Sequence, residues 1–529
     1  MIMLTLIELV RTHTMKTLSE KFRLCRQHDL FIPALLAAGF IVLSLAFVNQ
    51  YGYFRDELYY IACSNRLDFG YVDQPPLSIF VLKFMRTLFG DSLLAIRLLP
   101  IICGAALIIL TSLITRKLGG GRFSQVVIGC SVLAAPIYIA VSNFYSMNVI
   151  DFVIWTGGVY WLMITLDRNN LRDWIVLGVL LGLGLLNKIG VLWLGAGIFL
   201  GLLLTHHRTT LKTPGPWIAG IIALALFSPY LFWQMSHEWA TLEFVRNASQ
   251  YKNVAVSPLD FFANQLILMN PLIAPVWITG LLCCLFAPIL RQWRILAWIF
   301  VTVLTILLSS GSAKAYYLSP AYPAIIACGA VALEYFTQGG LHQLRVVMII
   351  IVAGAALMSL PMSKPLLSPQ NYLKYERKLG ISPPREEVGH GGTLPQHYAD
   401  MFGWEELVAT LSDVYQQLPE EDRESCLIWV QNYGEAGAIE FWQAQYEVPR
   451  VVCPHNNYWL WAPRDVTANT WIILGGNLED VQAVFETAEQ VGSFEHPWVL
   501  DSQNNNPIYV GRNPKISLEQ ILIQAKNFM

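Results

Sequence analysis

The sequence predicts a polytopic α-helical membrane protein with about eleven transmembrane helices, followed by a C-terminal extracytoplasmic α/β domain. Three observations predict it. Of the 529 residues, 55% are hydrophobic and 14% charged, with a mean hydropathy of +0.46, whereas a soluble domain carries roughly 25% charged residues. The apolar residues come in unbroken runs of about 15 to 25, long enough to cross a hydrocarbon core of about 30 Å as helix. Beyond residue 363 those runs shrink to strand length while charge, Asn and Gln rise. A single soluble core is excluded.

The first run, residues 31–50, follows a basic leader (residues 1–30) that holds Arg11, Lys16, Lys21, Arg23 and Arg26. Its end, Ala46-Phe47-Val48-Asn49-Gln50-Tyr51, lacks a small-x-small cleavage site, so it reads as a retained anchor with the leader in the cytoplasm. Residues 51–92 form the first extracytoplasmic loop. Further spans are expected near 93–115, 124–141, 149–166, 174–186, 190–204, 217–233, 271–290, 295–309, 318–336 and 346–362. This alternation puts Arg116, Lys117, Arg122, Arg168, Arg172, Arg208, Lys212, Arg291, Arg294 and Arg345 in cytoplasmic turns, as the positive-inside bias of short loops requires. The two runs flanking residue 188 are short, which suits a tilted, thinned or protein-buried pair.

An odd number of spans after a cytoplasmic leader places residues 363–529 outside. Pro361, Pro365, Pro369, Pro383 and Pro384 break the helix there. Residues 426–430 and 470–474 read as buried strands, and 404–417 and 478–488 carry helical spacing. Cys426 and Cys453 share this region and are candidates for a disulfide if it is extracytoplasmic. Cys103, Cys130, Cys283, Cys284 and Cys328 lie inside apolar runs and read as small hydrophobes. The net charge of −2 and pI near 6.6 leave no basic field for nucleic acid, so function rests on individually placed charges.

Those charges concentrate on one side of the membrane. Tyr51-Gly52-Tyr53-Phe54-Arg55-Asp56-Glu57-Leu58-Tyr59-Tyr60 sets three ionisable groups where apolar helix meets water. On a helix, Asp56 and Tyr60 share a face from which Glu57 turns away. The same loop continues to Tyr71-Val72-Asp73-Gln74-Pro75-Pro76, where a double proline stops any helix and holds Asp73 rigidly. Asn143, Asn148 and Asp151 surround the return into the fourth span, Asn187 and Lys188 sit at the tip of the short pair, and Lys314 precedes Ala315-Tyr316-Tyr317. Lys188 and Lys314 oppose the positive-inside bias, and a lipid phosphate is the natural anionic partner at that depth, with snorkelling to headgroups the plainer reading.

A carboxylate facing cations at the membrane surface suits sugar transfer from a polyprenyl phosphate. The leaving phosphate is already a stable anion and needs charge neutralisation more than a general acid. One carboxylate then suffices as base toward the acceptor hydroxyl, whereas a glycosidase usually requires a pair.

In these residues the chain resembles bacterial glycosyltransferases of family 39, related to protein O-mannosyltransferases and lipid A aminoarabinose transferases. Arg55-Asp56-Glu57, Tyr71-Val72-Asp73-Gln74-Pro75-Pro76, Ser146-Met147-Asn148-Val149-Ile150-Asp151, Gly184-Leu185-Leu186-Asn187-Lys188 and the run from Lys314 to Pro323 carry the resemblance across nearly the whole membrane part. Asn432-Tyr433-Gly434-Glu435-Ala436-Gly437 and the stretch from His455 to Trp461 extend it into the tail. The resemblance implies a GT-C fold, an inverting reaction and a polyprenyl-phosphate-linked donor handled in an extracytoplasmic cavity. It maps Asp56 to the catalytic Asp with Glu57 beside it, Asp73 to an acidic residue linked to a divalent metal ion or to the acceptor, and Lys188 to the donor phosphate. Aminoarabinose transferases carry an Arg where this chain has Tyr59, and Glu-Lys-Pro where it has Asp73-Gln74-Pro75. The two missing cations, for which Arg55 or Lys314 would compensate, weigh against an aminoarabinose donor and a lipid A acceptor.

The expectation is therefore a multi-pass glycosyltransferase of a bacterial inner membrane, moving a sugar from undecaprenyl phosphate to a lipid, glycan or protein acceptor outside the cytoplasm. Asp56, Glu57 and Asp73 are its catalytic set, and Arg55, Tyr59, Gln74, Asn148, Asp151, Lys188 and Lys314 bind substrate. A transporter or flippase of an anionic lipid-linked sugar is the alternative, although no inverted repeat supports it. Trp442, Tyr458, Trp459 and Trp461 read as packing residues more than as a sugar platform. His390, His397 and His455 read as satisfied histidines, and the segment 234–262 with His237, Glu238, Glu243 and Arg246 as an amphipathic lid on the membrane.

Overall fold

The computed structural model describes residues 30–338, 341–380, 387 and 391–529. Residues 1–29 of the basic leader, Pro383, Pro384 and His390 lie outside the described residues. Among the described residues six helices are long and apolar enough to cross a membrane: Leu93–Lys117, Met147–Arg168, Pro214–Ser236, Pro288–Ser310, Ala315–Phe336 and Gln343–Ser363. Each coincides with a predicted span.

The other predicted segments are helical but short or broken. Phe31–Ala46 and Leu171–Asn187 have 16 and 17 residues. Val191–Leu204 runs into a turn bent by 110°, and Pro258–Leu268 meets Pro271–Phe286 at 92°. The segment 124–141 divides into Arg122–Ala134 and Pro136–Val141, because Ala135 takes an extended conformation before a proline. Length and composition thus yield six spans among the described residues, or eight if each bent pair counts as one.

Ala315–Phe336 is the central helix, with 83% of its apolar window buried. Gly329 on it faces Gly280 of Ala274–Phe286, and each glycine lies against the other helix's backbone, where a Cβ would collide. Small residues permit such close approach in membranes, where apolar lipid provides no hydrophobic drive between helices.

The C-terminal domain is α/β, as expected. Its five strands are β1 (Cys426–Trp429), β2 (Val451–Val452), β3 (Thr470–Leu474), β4 (Phe485–Phe494) and β5 (Asn506–Pro514), ordered β2-β1-β3-β5-β4. β1 pairs in parallel with β2 and β3, while β5 runs antiparallel to β3 and β4. The predicted helix at Trp404–Gln417 is present. The helix expected over 478–488 ends at Val484, since residues 485–494 pair with β5, a long-range partner that local spacing does not reveal.

The disulfide expectation fails on register. Ile428 pairs with Val451 and Trp429 with Val452, which sets Cys426 before the start of the paired stretch and Cys453 beyond its end. Four residues along a strand span roughly 13 Å, about twice the largest Cα separation a disulfide usually tolerates. Both are free thiols, and burial raises both, Cys426 to about 12.

The domain sits over the loop of residues 51–92. One hydrophobic cluster joins Leu58, Tyr59, Tyr60 and Ile61 of that loop to Trp404, Tyr433, Ile439 and Val510 of the domain. Helix Tyr433–Tyr446 comes so near helix Arg55–Asn65 that a Cβ on Gly437 would meet the Leu58 carbonyl carbon and the Tyr59 nitrogen at 3.0 and 3.1 Å. The glycines of the 432–437 motif serve this contact.

Candidate active site

Helix Arg55–Asn65 begins with its two carboxylates in the first turn. They have different fates. Glu57 is fully buried: its Oε2 accepts from Phe54 N (2.8 Å), its Oε1 from Tyr145 N (2.9 Å), and Arg97 donates to both oxygens at 3.1 and 3.0 Å. Arg97 continues to the carbonyls of Val48 (2.9 Å) and Gly52 (2.6 Å). A charge pair this deep is tolerable only when its remaining hydrogen-bonding capacity is met, and here the first span, the loop and the second long helix meet it. Placed in the catalytic set by sequence, Glu57 has the geometry of a positioning residue.

Asp56 turns the other way, with 30% of its side chain exposed. Its Oδ1 accepts from the Tyr433 hydroxyl at 3.0 Å and lies 3.7 Å from Arg55 Nε. Arg55 is tethered in turn to Asp400, through its backbone nitrogen to the carbonyl at 2.9 Å and its guanidinium to the carboxylate at 3.6 Å. Glu387 joins the cluster, 4.0 Å from Arg55 and 3.9 Å from Lys252 and ion-paired with Lys314.

Asp73 stands within electrostatic reach of Asp56 and Lys252. Burial raises its carboxyl to about 6, partly offset by the Tyr59 hydroxyl, which donates to Oδ1 at 3.0 Å. Tyr59 shares that one proton with Asn457 Oδ1 at 3.2 Å, and Asn457 Oδ1 also accepts from Val72 N at 2.7 Å. Tyr59, read from the sequence as a substrate ligand, is 1% exposed, and its hydroxyl orients Asp73. Gln74 is likewise fully buried, its backbone carbonyl accepting from Tyr71 N at 3.0 Å, which closes the turn before the prolines, while its side-chain amide makes no hydrogen bond among the described residues.

Three motifs far apart in sequence meet at Lys188. Its ammonium donates to Asn148 Oδ1 (2.7 Å), lies 3.9 Å from Asp151, and sits 5.5 and 5.3 Å from the ring centres of Tyr316 and Tyr317. It is within electrostatic reach of Lys314. Tyr60 links this group to the loop by accepting from Met147 N at 3.4 Å. Asn143 is placed elsewhere, holding Lys364 at 2.8 Å.

The donor set does not fit a divalent metal held by protein ligands alone. The hydrogen-bond partner of Asp73 is a donating tyrosine, and among the described residues no three His, Cys, Asp or Glu side chains converge as a cage. His237 stacks on Trp233 at 4.1 Å, and its Nδ1 lies 2.9 Å from the Trp233 carbonyl.

Sequence reasoning missed Tyr433, Asn457, Lys252, Asp400 and Glu387 as site members. Tyr433 and Asn457 lie in motifs already singled out, so a signal existed for them. Lys252 lies in the segment read as a lid, whose helix Ala240–Asn247 does expose Leu242 and Val245 as a membrane-facing element would.

Residues 73–233, which include Asp73, Asn148, Asp151 and Lys188, match the family described as dolichyl-phosphate-mannose-protein mannosyltransferase. The chain is 27% identical over 291 residues to the lipid A galacturonosyltransferase RgtD of Rhizobium johnstonii, covering 53% of this chain and 61% of that protein. It is 24% identical over 358 residues to the undecaprenyl phosphate-alpha-4-amino-4-deoxy-L-arabinose arabinosyl transferase of Pseudomonas savastanoi pv. phaseolicola, covering 59% and 63%. The chain thus spans about three fifths of the length of these curated relatives. Its fold is similar to that of ArnT from Cupriavidus metallidurans, solved bound to undecaprenyl phosphate, with a TM-score of 0.58 at 14% identity over 90% of this chain and 97% of that one. The chain is therefore a multi-pass membrane protein with the GT-C fold of the membrane glycosyltransferases, as its motifs implied.

Proposed function

We propose that the protein is an inverting glycosyltransferase that moves a sugar from a polyprenyl phosphate, undecaprenyl phosphate in a bacterium, to a lipid, glycan or protein acceptor on the extracytoplasmic face of the inner membrane. The observation that carries this reading is a partly exposed carboxylate, Asp56, at a helix start, 3.7 Å from Arg55 and within electrostatic reach of Lys252. The other carboxylate of the pair is locked in the scaffold. A transferase with a phosphate leaving group needs this asymmetry: one base for the acceptor hydroxyl and positive charge for the departing phosphate.

In the proposed reaction Asp56 takes the acceptor's proton as the oxygen attacks the anomeric carbon. The carbon–phosphate-oxygen bond breaks on the opposite face, which inverts the centre and leaves polyprenyl phosphate. Tyr433 orients Asp56 and Tyr59 orients Asp73, which positions the acceptor. Lys188, steadied by Asn148 and Asp151, holds the donor phosphate with Arg55 or Lys314. The names of the two curated relatives, both sugar transferases, support this over the flippase alternative.

The test is to incubate purified protein with a panel of sugar-loaded undecaprenyl phosphates and a membrane extract, following free undecaprenyl phosphate. Release by wild type and none by Asp56→Asn is the expected result. Undiminished release by Asp56→Asn overturns the role of Asp56, and movement of intact donor lipid across a vesicle without release overturns the transferase reading.

A further inference from the structure

The loop that carries Asp73 is held from four sides. From the membrane domain, Trp233 Nε1 donates to Asp68 Oδ2 (2.8 Å) while its ring lies against Gly70, and Thr241 Oγ1 donates to the Tyr71 carbonyl (3.2 Å). From the soluble domain, Asn457 accepts from Val72 N. The fourth contact comes from near residue 528, more than 450 positions away in sequence. Phe528 is 2% exposed and packs in one small cluster with Val72, Trp233 and Ala240.

The residues around Phe528 are tied to both domains. Lys526 makes an ion pair with Glu243 at 2.8 Å, and its ammonium sits 5.1 and 4.3 Å from the ring centres of Trp459 and Phe528. Asn247 Nδ2 donates to the Phe528 carbonyl at 2.9 Å. On the soluble side, Asn527 exchanges backbone hydrogen bonds with the strand at His455: Asn456 N donates to the Asn527 carbonyl (2.9 Å) and Asn527 N to the Pro454 carbonyl (3.0 Å). Glu243 and Asn247 belong to the helix whose chain continues to Lys252. One short segment thus touches the Asp73 loop, the element leading to Lys252 and the strand leading to Asn457.

We propose that residues 526–528 are a positioning clamp, in which Phe528, wedged between Val72, Trp233 and Ala240, holds the Asp73 loop in register with Asp56 while Lys526 and Asn527 lock the wedge to the two domains. Phe528 touches no reacting atom; it acts through Val72 and the backbone of the loop. The consequence for turnover rests on the glycosyltransferase reading, whereas the consequence for loop order does not. Misplacing a group by about 1 Å costs up to about a hundredfold in rate, and a wedge that sets a loop rather than binding the donor acts on kcat and spares KM.

The experiment uses the full chain in nanodiscs, as wild type, Phe528→Ala, Phe528→Leu and Lys526→Gln, with two readouts: donor kinetics, and amide hydrogen exchange of residues 68–74. For Phe528→Ala the expected result is a kcat lowered by about ten- to a hundredfold at unchanged donor KM, together with faster exchange in 68–74. Phe528→Leu, which refills the wedge, restores both, and Lys526→Gln moves both in the same direction by less. A folded Phe528→Ala variant with wild-type exchange at 68–74 overturns the clamp. Should Phe528→Ala fail to fold, wild-type exchange in Lys526→Gln overturns it equally. If wild type turns over no donor, the transferase reading fails while the exchange of 68–74 still decides the clamp.

Discussion

The Tyr433 hydroxyl, carried by the soluble domain, donates to Asp56 Oδ1 across 3.0 Å, so the proposed base of the membrane domain is completed by a residue 377 positions away. Arg55 adds its guanidinium 5.4 Å from the Tyr433 ring centre. The soluble domain is therefore part of the site rather than an appendage.

Asp56→Asn should lower turnover by about 10² to 10⁴, the usual contribution of a general base, with normal membrane insertion. Tyr433→Phe, which removes only the orienting hydroxyl, should cost much less, about tenfold. Equal losses from the two substitutions would show that Tyr433 is more than an orienter. The rate of undecaprenyl phosphate release reads both.

Asp73 gives the reaction a pH signature. With its carboxyl raised by burial to about 6, it is protonated below that pH and charged above. If the carboxylate is the working form, kcat/KM falls as pH drops through about 6, and Asp73→Asn lowers the plateau and removes that limb. A limb near 6 that survives Asp73→Asn belongs to another group.

Breaking the Glu57–Arg97 pair should injure folding before chemistry. Removing one partner of a buried pair leaves an uncompensated charge and costs about 3 to 5 kcal/mol. Glu57→Gln should therefore reduce the yield and melting temperature of detergent-solubilised protein, while the molecules that fold keep most of their specific activity. A fully folded but inactive Glu57→Gln would instead return Glu57 to the catalytic set.

Lys188→Met should raise the donor KM, because in the proposed reaction its ammonium, placed where three motifs converge, holds the donor phosphate. Affinity for free undecaprenyl phosphate, a product that keeps the charge but lacks the sugar, should fall in parallel. Unchanged product affinity would assign Lys188 to scaffolding.

His455 predicts acid lability. Burial lowers its imidazole to about 3, so the folded protein holds it neutral while the unfolded chain protonates near 6.5. Its contribution is fully present above about 6.5 and is lost as pH falls toward 3, amounting to about 2 kcal/mol by pH 5. Melting temperature should drop over that range, and less so in His455→Gln.

The membrane part was legible because the requirement for long apolar runs is local: each of the eleven predicted segments is helical, and two of the breaks occur at Pro136 and near Pro271, residues visible in the sequence. Asp56, Asp73, Lys188 and Lys314 could be singled out for a related reason, since a charge at membrane depth is costly enough to need an explanation. The opposed directions of Asp56 and Glu57 also followed from helical geometry. What sequence alone could not decide was which groups meet. Arg97, which nothing in the sequence singled out, is placed on Glu57 by the fold. Tyr59 and Gln74 turn out to be buried, with the Tyr59 hydroxyl spent on Asp73. Tyr433, Asn457 and Phe528 reach the loop across hundreds of residues. Local periodicity carries information over a few residues, whereas β4–β5 pairing, the separation of Cys426 from Cys453 and the assembly of the site depend on packing between distant segments, and only the tertiary structure decides those.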